Sequence, residues 1–349
     1  MTSVAASILT AAMSNSEPPS PVLFFETLVA YQNTAALKAA LELRLFSAIG
    51  KARATAGELA AECGATERGI RILANYLTIL GFLEKDDNRY SLSRDSAAFL
   101  DEKSPAYAGG AAAFLLSPTI RGAFDELAVA VRKGGTAHSA EGTMAPEHPV
   151  WIDFARGMAP MMTPPAQMLA DLLPLDATRP SRILDIAAGH GVYGIAVAQK
   201  HQLAQLVALD WTPVLEVARE NADVAGLTSR FSTIAGSAFE VELGENYDVV
   251  LVPNFLHHFD PPTCVTFLKK IYPTLRPGGC VAIVEFIPNP DRVTPPEAAS
   301  FSLVMLATTA AGDAYTFEEF KDMLSEAGFK QARQYPLPPS VATAVIAAV

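Results

Sequence analysis

The segment from Ser181 to Trp211 constrains the fold of this chain more than any other. An apolar run at 183–186 is typical of a buried strand, and a turn of small residues follows it. Residues 192–199 have the pattern of a helix that packs on a sheet, and a second apolar run at 206–209 ends in an acid. This order of strand, glycine turn, helix and strand predicts an α/β domain built on a parallel sheet.

The turn carries Gly189, Gly191 and Gly194 in the spacing G-x-G-x-x-G, which several nucleotide cofactors share. Asp185 precedes the turn at the end of the first strand, where a carboxylate would repel the pyrophosphate of a dinucleotide. S-adenosylmethionine (SAM) has no phosphate and carries an ammonium group. We therefore predict SAM, with Asp210 accepting hydrogen bonds from both ribose hydroxyls. A dinucleotide, or a turn needed only for close packing of strand on helix, are the alternatives.

The stretch Gly236-Ser237-Ala238-Phe239 follows a predicted third strand, at a position where an adenine ring would lie. Phe239 is expected to pack on the base and Ser237 to bond its amino edge. The alternative is a core phenylalanine beside a turn serine.

Two adjacent histidines, His257 and His258, follow an apolar fourth strand at 247–252. Ligands bind at such strand ends in this class of fold, which favours a chemical role over a structural one. Adjacent residues on a helix point about 100° apart, so we expect the two rings to face different atoms. Glu285, near the end of the fifth strand, needs a partner if it is buried, and the histidine loop is the nearest one.

The chain is expected to close with a helix and an apparent hairpin, which brings the sheet to about seven strands. Residues 151–162 form a predicted helix with a methionine-rich face, for which core packing and pocket lining both stay open. Prolines are expected to mark the linker and helix ends that lead into the cofactor fold: Pro164, Pro165, Pro174 and Pro180.

The N-terminal third has the outline of a winged helix. Its predicted elements are helices at 35–49, 57–62 and 66–80 and a hairpin at 82–92. DNA recognition by the last of these helices needs a basic surface, but the helix carries only Arg68 and Arg71. We favour a packing module that forms a homodimer. The expected domains are a flexible leader at 1–20, the winged-helix-like dimerisation domain at 21–120, a helical linker lining the pocket at 121–180 and the SAM-binding catalytic domain at 181–349.

Composition limits the partners. A net charge of −11 disfavours nonspecific binding to nucleic acid or to an anionic membrane. The three cysteines are far apart and suggest neither a disulfide framework nor a metal site. Residues 1–37 contain no Lys or Arg, so the basic start of a signal peptide is missing. We expect a cytoplasmic protein that binds neither metal nor membrane.

Six motifs together resemble those of the plant-type small-molecule O-methyltransferases, the group that includes caffeate, flavonoid and acetylserotonin methyltransferases and their bacterial relatives. The motifs are LDIAAGHG (184–191), ALDW (208–211), GSAF (236–239), NFLHHFD (254–260), LRPGG (275–279) and VEFIPN (284–289). The resemblance covers about residues 20–349. It implies a class I Rossmann-like sheet, an N-terminal winged-helix dimerisation domain, SAM as cofactor, S-adenosylhomocysteine (SAH) as product, and methyl transfer to a hydroxyl of a small aromatic acceptor.

Carried over residue by residue, the family's catalytic base falls on His257 and the acid that orients it on Glu285. The family's Phe and Met beside the reacting oxygen fall on Phe154 and Met158. The residues expected to bind the cofactor are Asp185, Gly189, Gly191, Asp210, Trp211, Gly236, Ser237, Ala238, Phe239 and Asn254. Those expected to bind the acceptor are Phe154, Met158, Met162 and His258.

The chain also departs from the family pattern. Ser237 stands where an aspartate usually binds the adenine amino group, and His258 replaces the usual aspartate after the base. A second family glutamate falls on Ala314, with Asp313 one residue away. Three alternatives therefore stay open: N-, S- or C-methylation, a SAM-fold enzyme of other chemistry, and a SAM-sensing regulator that binds DNA.

Overall fold

The computed structural model describes residues 18–138, 142–145 and 147–349. Most of the leader predicted at 1–20 lies outside the described residues. The chain divides into two compact units, Met1–Pro105 and Ala106–Val349. The first unit ends before residue 120, and the predicted domain limits stay predictions.

The first unit is helical with a small sheet of three strands in the order β1-β3-β2. Its helices are α1 (Val22–Val29), α2 (Tyr31–Glu42), α3 (Leu45–Ile49), α4 (Ala56–Glu62), α5 (Glu67–Ile79) and α6 (Arg94–Phe99). Its strands are β1 (Ala54–Thr55), β2 (Leu83–Asp86) and β3 (Arg89–Leu92). The two later predicted helices and the hairpin are thus present as α4, α5 and β2–β3. A reciprocal capping box between Thr55 and Glu58 starts α4.

The single helix predicted at 35–49 is wrong. Arg44 has a φ of 53°, in the left-handed region, and separates α2 from α3. An apolar stripe continues across this break, which is why the sequence pattern did not reveal it. The change of direction lets Leu45 and Ile49 pack in the same core as Leu59 and Leu77.

The second unit holds a sheet of seven strands, as predicted. Its strands are β4 (Ser181–Ile186), β5 (Ala204–Asp210), β6 (Phe231–Ala235), β7 (Tyr247–Pro253), β8 (Leu275–Glu285), β9 (Lys330–Pro336) and β10 (Thr343–Ala348). Its helices are α7 (Ala111–Leu115), α8 (Pro118–Asp125), α9 (Leu127–Lys133), α10 (Val150–Leu172), α11 (Val192–Lys200), α12 (Thr212–Val224), α13 (Pro261–Ile271), α14 (Pro296–Ala299), α15 (Phe301–Thr308) and α16 (Phe317–Glu326).

The strand order is β6-β5-β4-β7-β8-β10-β9. Strands β4 to β8 pair in parallel, and β10 is antiparallel to both β8 and β9, which forms the predicted terminal hairpin. The order reverses on either side of β4, whose neighbours are β5 and β7. In open sheets of this kind, such a reversal opens a crevice beyond the carboxyl ends of the strands, where ligands bind.

Helix α10 is longer than the sequence suggested, and the expectation that Pro164 and Pro165 lie in a linker is wrong. Both lie inside α10, as does Pro160. Each proline removes a helical hydrogen bond. In the same turn, Thr163 donates from Oγ1 to the carbonyl of Ala159 at 2.9 Å. Buried residues of the same helix, which pack against the sheet, hold it together across these positions: Met158, Met162, Ala166, Leu169 and Ala170.

Helix α10 also lies very close to the segment that starts α7. A Cβ atom at Gly157 would lie only 2.5 Å from the carbonyl oxygen of Gly110. The glycine therefore sets how near α10 can approach. Within the described residues, no helix combines the length and apolar character needed to cross a membrane.

Candidate active site

A cavity of about 350 Å³ lies in the second unit at the carboxyl ends of β4, β5 and β7. Nine of the predicted site residues line it: Phe154, Met158, Met162, Gly189, Asp210, Trp211, Asn254, His257 and His258. The remaining predicted residues do not line it: Asp185, Gly191, Gly236, Ser237, Ala238, Phe239 and Glu285. The structure therefore brings together residues from three strand ends and from α10.

The glycine turn between β4 and α11 depends on two close approaches. At Gly189, where φ is 56°, an added Cβ would lie 3.3 Å from the ring of Phe154. At Gly194, an added Cβ would lie 2.8 Å from Oδ2 of Asp185 and 2.5 Å from the side chain of Leu206. The missing side chain at Gly189 therefore leaves room for the ring of Phe154 above the turn, and the missing side chain at Gly194 lets α11 pack closely on the strands.

Asp185 is fully buried at the end of β4. Its Oδ2 accepts a hydrogen bond from the backbone N–H of Gly194 at 3.0 Å. Its Oδ1 is buried and has no partner among the described residues. Burial raises the pKa of this carboxyl to about 8, and the negative charge of Asp210 adds to the rise. A cation nearby would favour the ionised form and lower this pKa, and the role predicted for Asp185 beside the ammonium group of SAM stays a prediction.

Asp210 ends β5 and faces the cavity. Its Oδ2 accepts from the N–H of Gly189 at 2.8 Å, and its Oδ1 accepts from the N–H of Trp211 at 2.7 Å. Burial raises the pKa of Asp210 to about 6. Each carboxylate oxygen can accept a further hydrogen bond, so the side chain is suited to the two ribose hydroxyls predicted for it.

The stretch Gly236–Phe239 follows β6 but does not line the cavity. The ring of Phe239 lies 4.9 Å from that of Phe259 and 4.8 Å from that of Phe267, between ring centroids. Lys270 donates from Nζ to the carbonyls of Ala238 and Phe239 in this stretch and of Val241 just after it. These contacts match the core interpretation of Phe239, and an adenine role for the loop stays a prediction.

His257 and Glu285 form a buried pair. Nδ1 of His257 lies 2.5 Å from Oε2 of Glu285. The other carboxylate oxygen accepts from the backbone N–H of Phe255 at 3.1 Å and of His257 at 3.3 Å. A carboxylate against Nδ1 fixes the tautomer with the proton on that nitrogen. Nε2 of His257 is then free to accept a proton.

His258 lies beside this pair and also lines the cavity. The two histidine rings meet edge to face, with centroids 4.2 Å apart and planes at 65°. Burial lowers the pKa of His258 well below its ordinary value, and the neighbouring His257 lowers it further. His258 is therefore neutral near pH 7, and its ring packs against Trp151 at 5.3 Å.

The second acid of the family pattern does not pair with His257 in this structure. Asp313 is 38% exposed, and its Oδ2 pairs with Nη1 of Arg292 at 3.1 Å. Its backbone N–H donates to the carbonyl of His257, so the loop is attached through the main chain. Ala314 is buried. Among the described cavity-lining residues, Asp210 is the only carboxylate.

Helix α10 supplies one wall of the cavity. Trp151, Phe154, Met158 and Met162 recur at helical spacing and all line it. Met158 and Met162 also belong to the buried core, so the two interpretations of this face are not exclusive. Trp151 was missed, although it lies one turn before Phe154 on the same stripe.

Other lining residues gave no usable signal. Phe301 and Met305 come from α15, far from the cofactor motifs in sequence, and the ring of Phe301 lies 4.8 Å from that of His257. His190 and Tyr193 belong to the glycine turn and α11, but glycine spacing alone did not mark them.

Two family profiles cover most of the chain. The O-methyltransferase domain matches residues 134–330, and the O-methyltransferase dimerisation domain matches residues 25–102. The chain belongs to the O-methyltransferase family. Family membership confirms the predicted enzyme class, the α/β fold with a helical N-terminal dimerisation domain, and SAM as the cofactor.

Individual relatives agree with this assignment. The chain is 30% identical over 332 residues to a 3-hydroxy-5-methyl-1-naphthoate 3-O-methyltransferase of Streptomyces sahachiroi, a match that covers 94% of this chain and 95% of the relative. It is 25% identical over 316 residues to the acetylserotonin O-methyltransferase of Mus musculus, covering 85% and 80%. A crystal structure from Nostoc punctiforme, described as a candidate O-methyltransferase, is 52% identical with a TM-score of 0.92 and covers 95% of this chain and 100% of that one. The predicted resemblance to the plant-type group is confirmed.

Proposed function

We propose that this O-methyltransferase moves the methyl group of SAM to a hydroxyl of a small aromatic acceptor, with His257 as the general base. The observation that carries the proposal is the buried contact of 2.5 Å between His257 Nδ1 and Glu285 Oε2 beside the cavity. This contact leaves Nε2 as the nitrogen that takes the acceptor's proton.

SAM and the side chains of the cavity would have separate roles in the reaction. When bound, SAM supplies an electrophilic methyl group on its sulfonium. Asp210 and the glycine turn would hold the nucleoside end of SAM, and His257, which lines the same cavity, would take the proton of the acceptor hydroxyl. Glu285 stabilises the imidazolium that forms as His257 takes the proton. Such base assistance supplies on the order of 10²–10⁴ in rate, and positioning supplies much of the remainder.

The walls of the cavity support an aromatic acceptor. Most lining side chains are aromatic or aliphatic, with Trp151, Phe154 and Phe301 among them. The flat ring of an aromatic acceptor would pack well against the edges and faces of these side chains. Relatives named for a naphthoate and for acetylserotonin point to the same class of acceptor.

The test compares His257→Ala and His257→Gln with the unsubstituted enzyme on a panel of phenols and naphthols. We expect kcat to fall by about 10²–10⁴, while the dissociation constant of SAH, measured by calorimetry, stays within about threefold. Methyl transfer near the full rate in His257→Ala, with SAH still bound, would rule out His257 as the base. Mass spectrometry of the product identifies the atom that is methylated.

The homodimer is proposed to form through the N-terminal unit. Helix α1 has no buried residue, and it exposes Phe24 (62%), Phe25 (56%) and Leu28 (59%). A row of exposed large apolar side chains marks a protein–protein contact, and the dimerisation-domain match agrees with a second copy as the partner. Sedimentation of a Phe25→Glu, Leu28→Glu double variant tests this. A matched Val224→Glu change, at a position of the second unit that is 91% exposed, should leave the dimer intact.

A further inference from the structure

The turn that carries the glycines also carries a histidine that has no part in the proposed methyl transfer. His190 lies between Gly189 and Gly191, is only 2% exposed and lines the cavity. Its ring stacks on that of Phe154, with centroids 5.6 Å apart and planes at 21°. The side chain is therefore held in one orientation between the turn and α10.

Its hydrogen bonding defines which nitrogen carries the proton. The backbone N–H of Val192 donates to Nδ1 of His190 at 3.2 Å. A neutral imidazole that accepts at Nδ1 carries its hydrogen on Nε2. Burial lowers the pKa of His190 to about 4, so the ring stays neutral at ordinary pH. Nε2–H is thus a donor and not an acceptor.

That donor has no partner. Nε2 of His190 is buried without a hydrogen bond to any described residue. Buried donors are nearly always satisfied, because an unmet one loses its hydrogen bond to water without replacement. We therefore expect a hydrogen-bond acceptor of a bound ligand to pair with Nε2–H of His190.

We infer that His190 binds the carboxylate of the amino-acid end of SAM through Nε2–H. The donor cannot satisfy the ammonium, which also only donates. It lies in the turn between Asp185 and Asp210, two acids that attract the ammonium and repel the carboxylate. The described cavity-lining residues include no Lys or Arg. The carboxylate, which is bonded to the same carbon as the ammonium, can then be compensated only by neutral donors, and the unmet Nε2–H of His190 is one of them.

Asn254 offers an acceptor that could meet the ammonium group of the same end of SAM. Its side-chain oxygen is buried without a partner among the described residues, and its Nδ2 lies 4.0 Å from Sδ of Met162. The hydroxyl of Tyr193, whose ring neighbours His190 at 6.3 Å, lies 3.7 Å from the same sulfur. Two residues that line one cavity therefore carry an unmet acceptor and an unmet donor, as a zwitterionic end group requires.

The test separates the carboxylate from the rest of the cofactor. Calorimetry is run with SAH and with its decarboxylated analogue, which keeps the ammonium, on the unsubstituted enzyme, His190→Phe and His190→Gln. Phenylalanine keeps a flat ring against Phe154 but cannot donate, and glutamine keeps an N–H. We expect His190→Phe to weaken SAH by about 10- to 100-fold, the range of a hydrogen bond to a charged group. The same variant should change binding of the analogue by less than about threefold, and His190→Gln should recover part of the loss.

Equal losses for both ligands, or no loss for SAH, would overturn the inference and leave His190 as a packing residue. A measurement without substitution guards against a misfolded variant. In protein labelled with ¹⁵N-histidine, SAH should shift the Nε2–H resonance of His190 and slow its exchange, and the decarboxylated analogue should not. The inference rests on SAM as cofactor and not on His257, since binding is measured without turnover.

Discussion

Nδ1 of His257 and Oε2 of Glu285 lie 2.5 Å apart, although 28 residues separate them in the chain. Strands β7 and β8 pair in parallel, with Pro253 opposite Val284. The loop after β7 and the last residue of β8 therefore meet at the same edge of the sheet. Strand register therefore places the proposed base and the acid proposed to orient it side by side.

Replacing Glu285 by Gln should lower kcat by on the order of 10²–10⁴. The amide nitrogen donates where the carboxylate accepts, which favours the His257 tautomer with its proton on Nε2, and this tautomer cannot take the acceptor's proton. SAH affinity, measured by calorimetry, should be unchanged. Asp313→Asn is the matched control, since Asp313 pairs with Arg292 outside the cavity. An equal loss of kcat in the control would mean that Asp313 acts on the base.

Cofactor binding should release protons. In the free protein, the pKa of Asp185 is raised to about 8 and that of Asp210 to about 6, both mainly by burial. The ammonium of SAH and the donors of its ribose favour the ionised carboxylates and lower both pKa values. Affinity for SAH should therefore rise as the pH increases from about 6 to 7.5, by up to about tenfold for each pH unit per proton released.

Calorimetry in two buffers of different ionisation enthalpy measures this release. Asp185→Asn should remove most of it near pH 7, and 5′-methylthioadenosine, which lacks the ammonium, should release less than SAH. A binding enthalpy independent of the buffer, with an affinity flat in pH, would contradict the electrostatic role given to these acids.

Acceptors without charge should be preferred. The described residues that line the cavity include no Lys or Arg, so an acceptor carboxylate would be desolvated without a partner. We expect kcat/KM for a naphthol to exceed that for the matching hydroxynaphthoate by about tenfold or more. Met161 is half exposed at the cavity wall. Met161→Lys should reduce the difference in kcat/KM between the two acceptors, because it adds a positive charge, and Met161→Gln should not. Equal kcat/KM values for both acceptors in the unsubstituted enzyme would refute the prediction.

Gly157→Ala should destabilise the second unit. The new methyl group would meet the carbonyl of Gly110 at 2.5 Å and push α10 away from α7. Such overpacking costs about 1–3 kcal/mol in the free energy of unfolding. Gly122→Ala is the control, because its nearest neighbour would be the His138 side chain at 3.9 Å. Within a helix this change should stabilise by up to about 1 kcal/mol. Thermal unfolding compares the two, and similar midpoints would argue against a tight contact at Gly157.

The parts of the site that the sequence predicted are local in the chain. The glycine turn, Asp210 and the histidine loop each follow a strand directly, so an apolar run and the residues after it suffice to place them. The pairing of Glu285 with the histidines was predicted because a buried carboxylate needs a partner.

The parts that were missed depend on tertiary packing. Propensity places Pro164 and Pro165 outside a helix, but the buried face of α10 outweighs the two lost hydrogen bonds. Phe301 reaches His257 from a helix whose sequence has no motif. The direction of Asp313 depends on Arg292, a residue that local pattern does not connect to it.

Helix α10 places Phe154 against the glycine turn and Trp151 against His258. Under the proposed function, SAM and the acceptor share this wall, so a change made on α10 to admit a bulkier acceptor should also disturb how SAM is held. Val304 and Met305 line the cavity from α15, the helix that also brings Phe301 beside His257. Engineering of acceptor scope should begin at these two positions, where preference can be altered with cofactor affinity left intact.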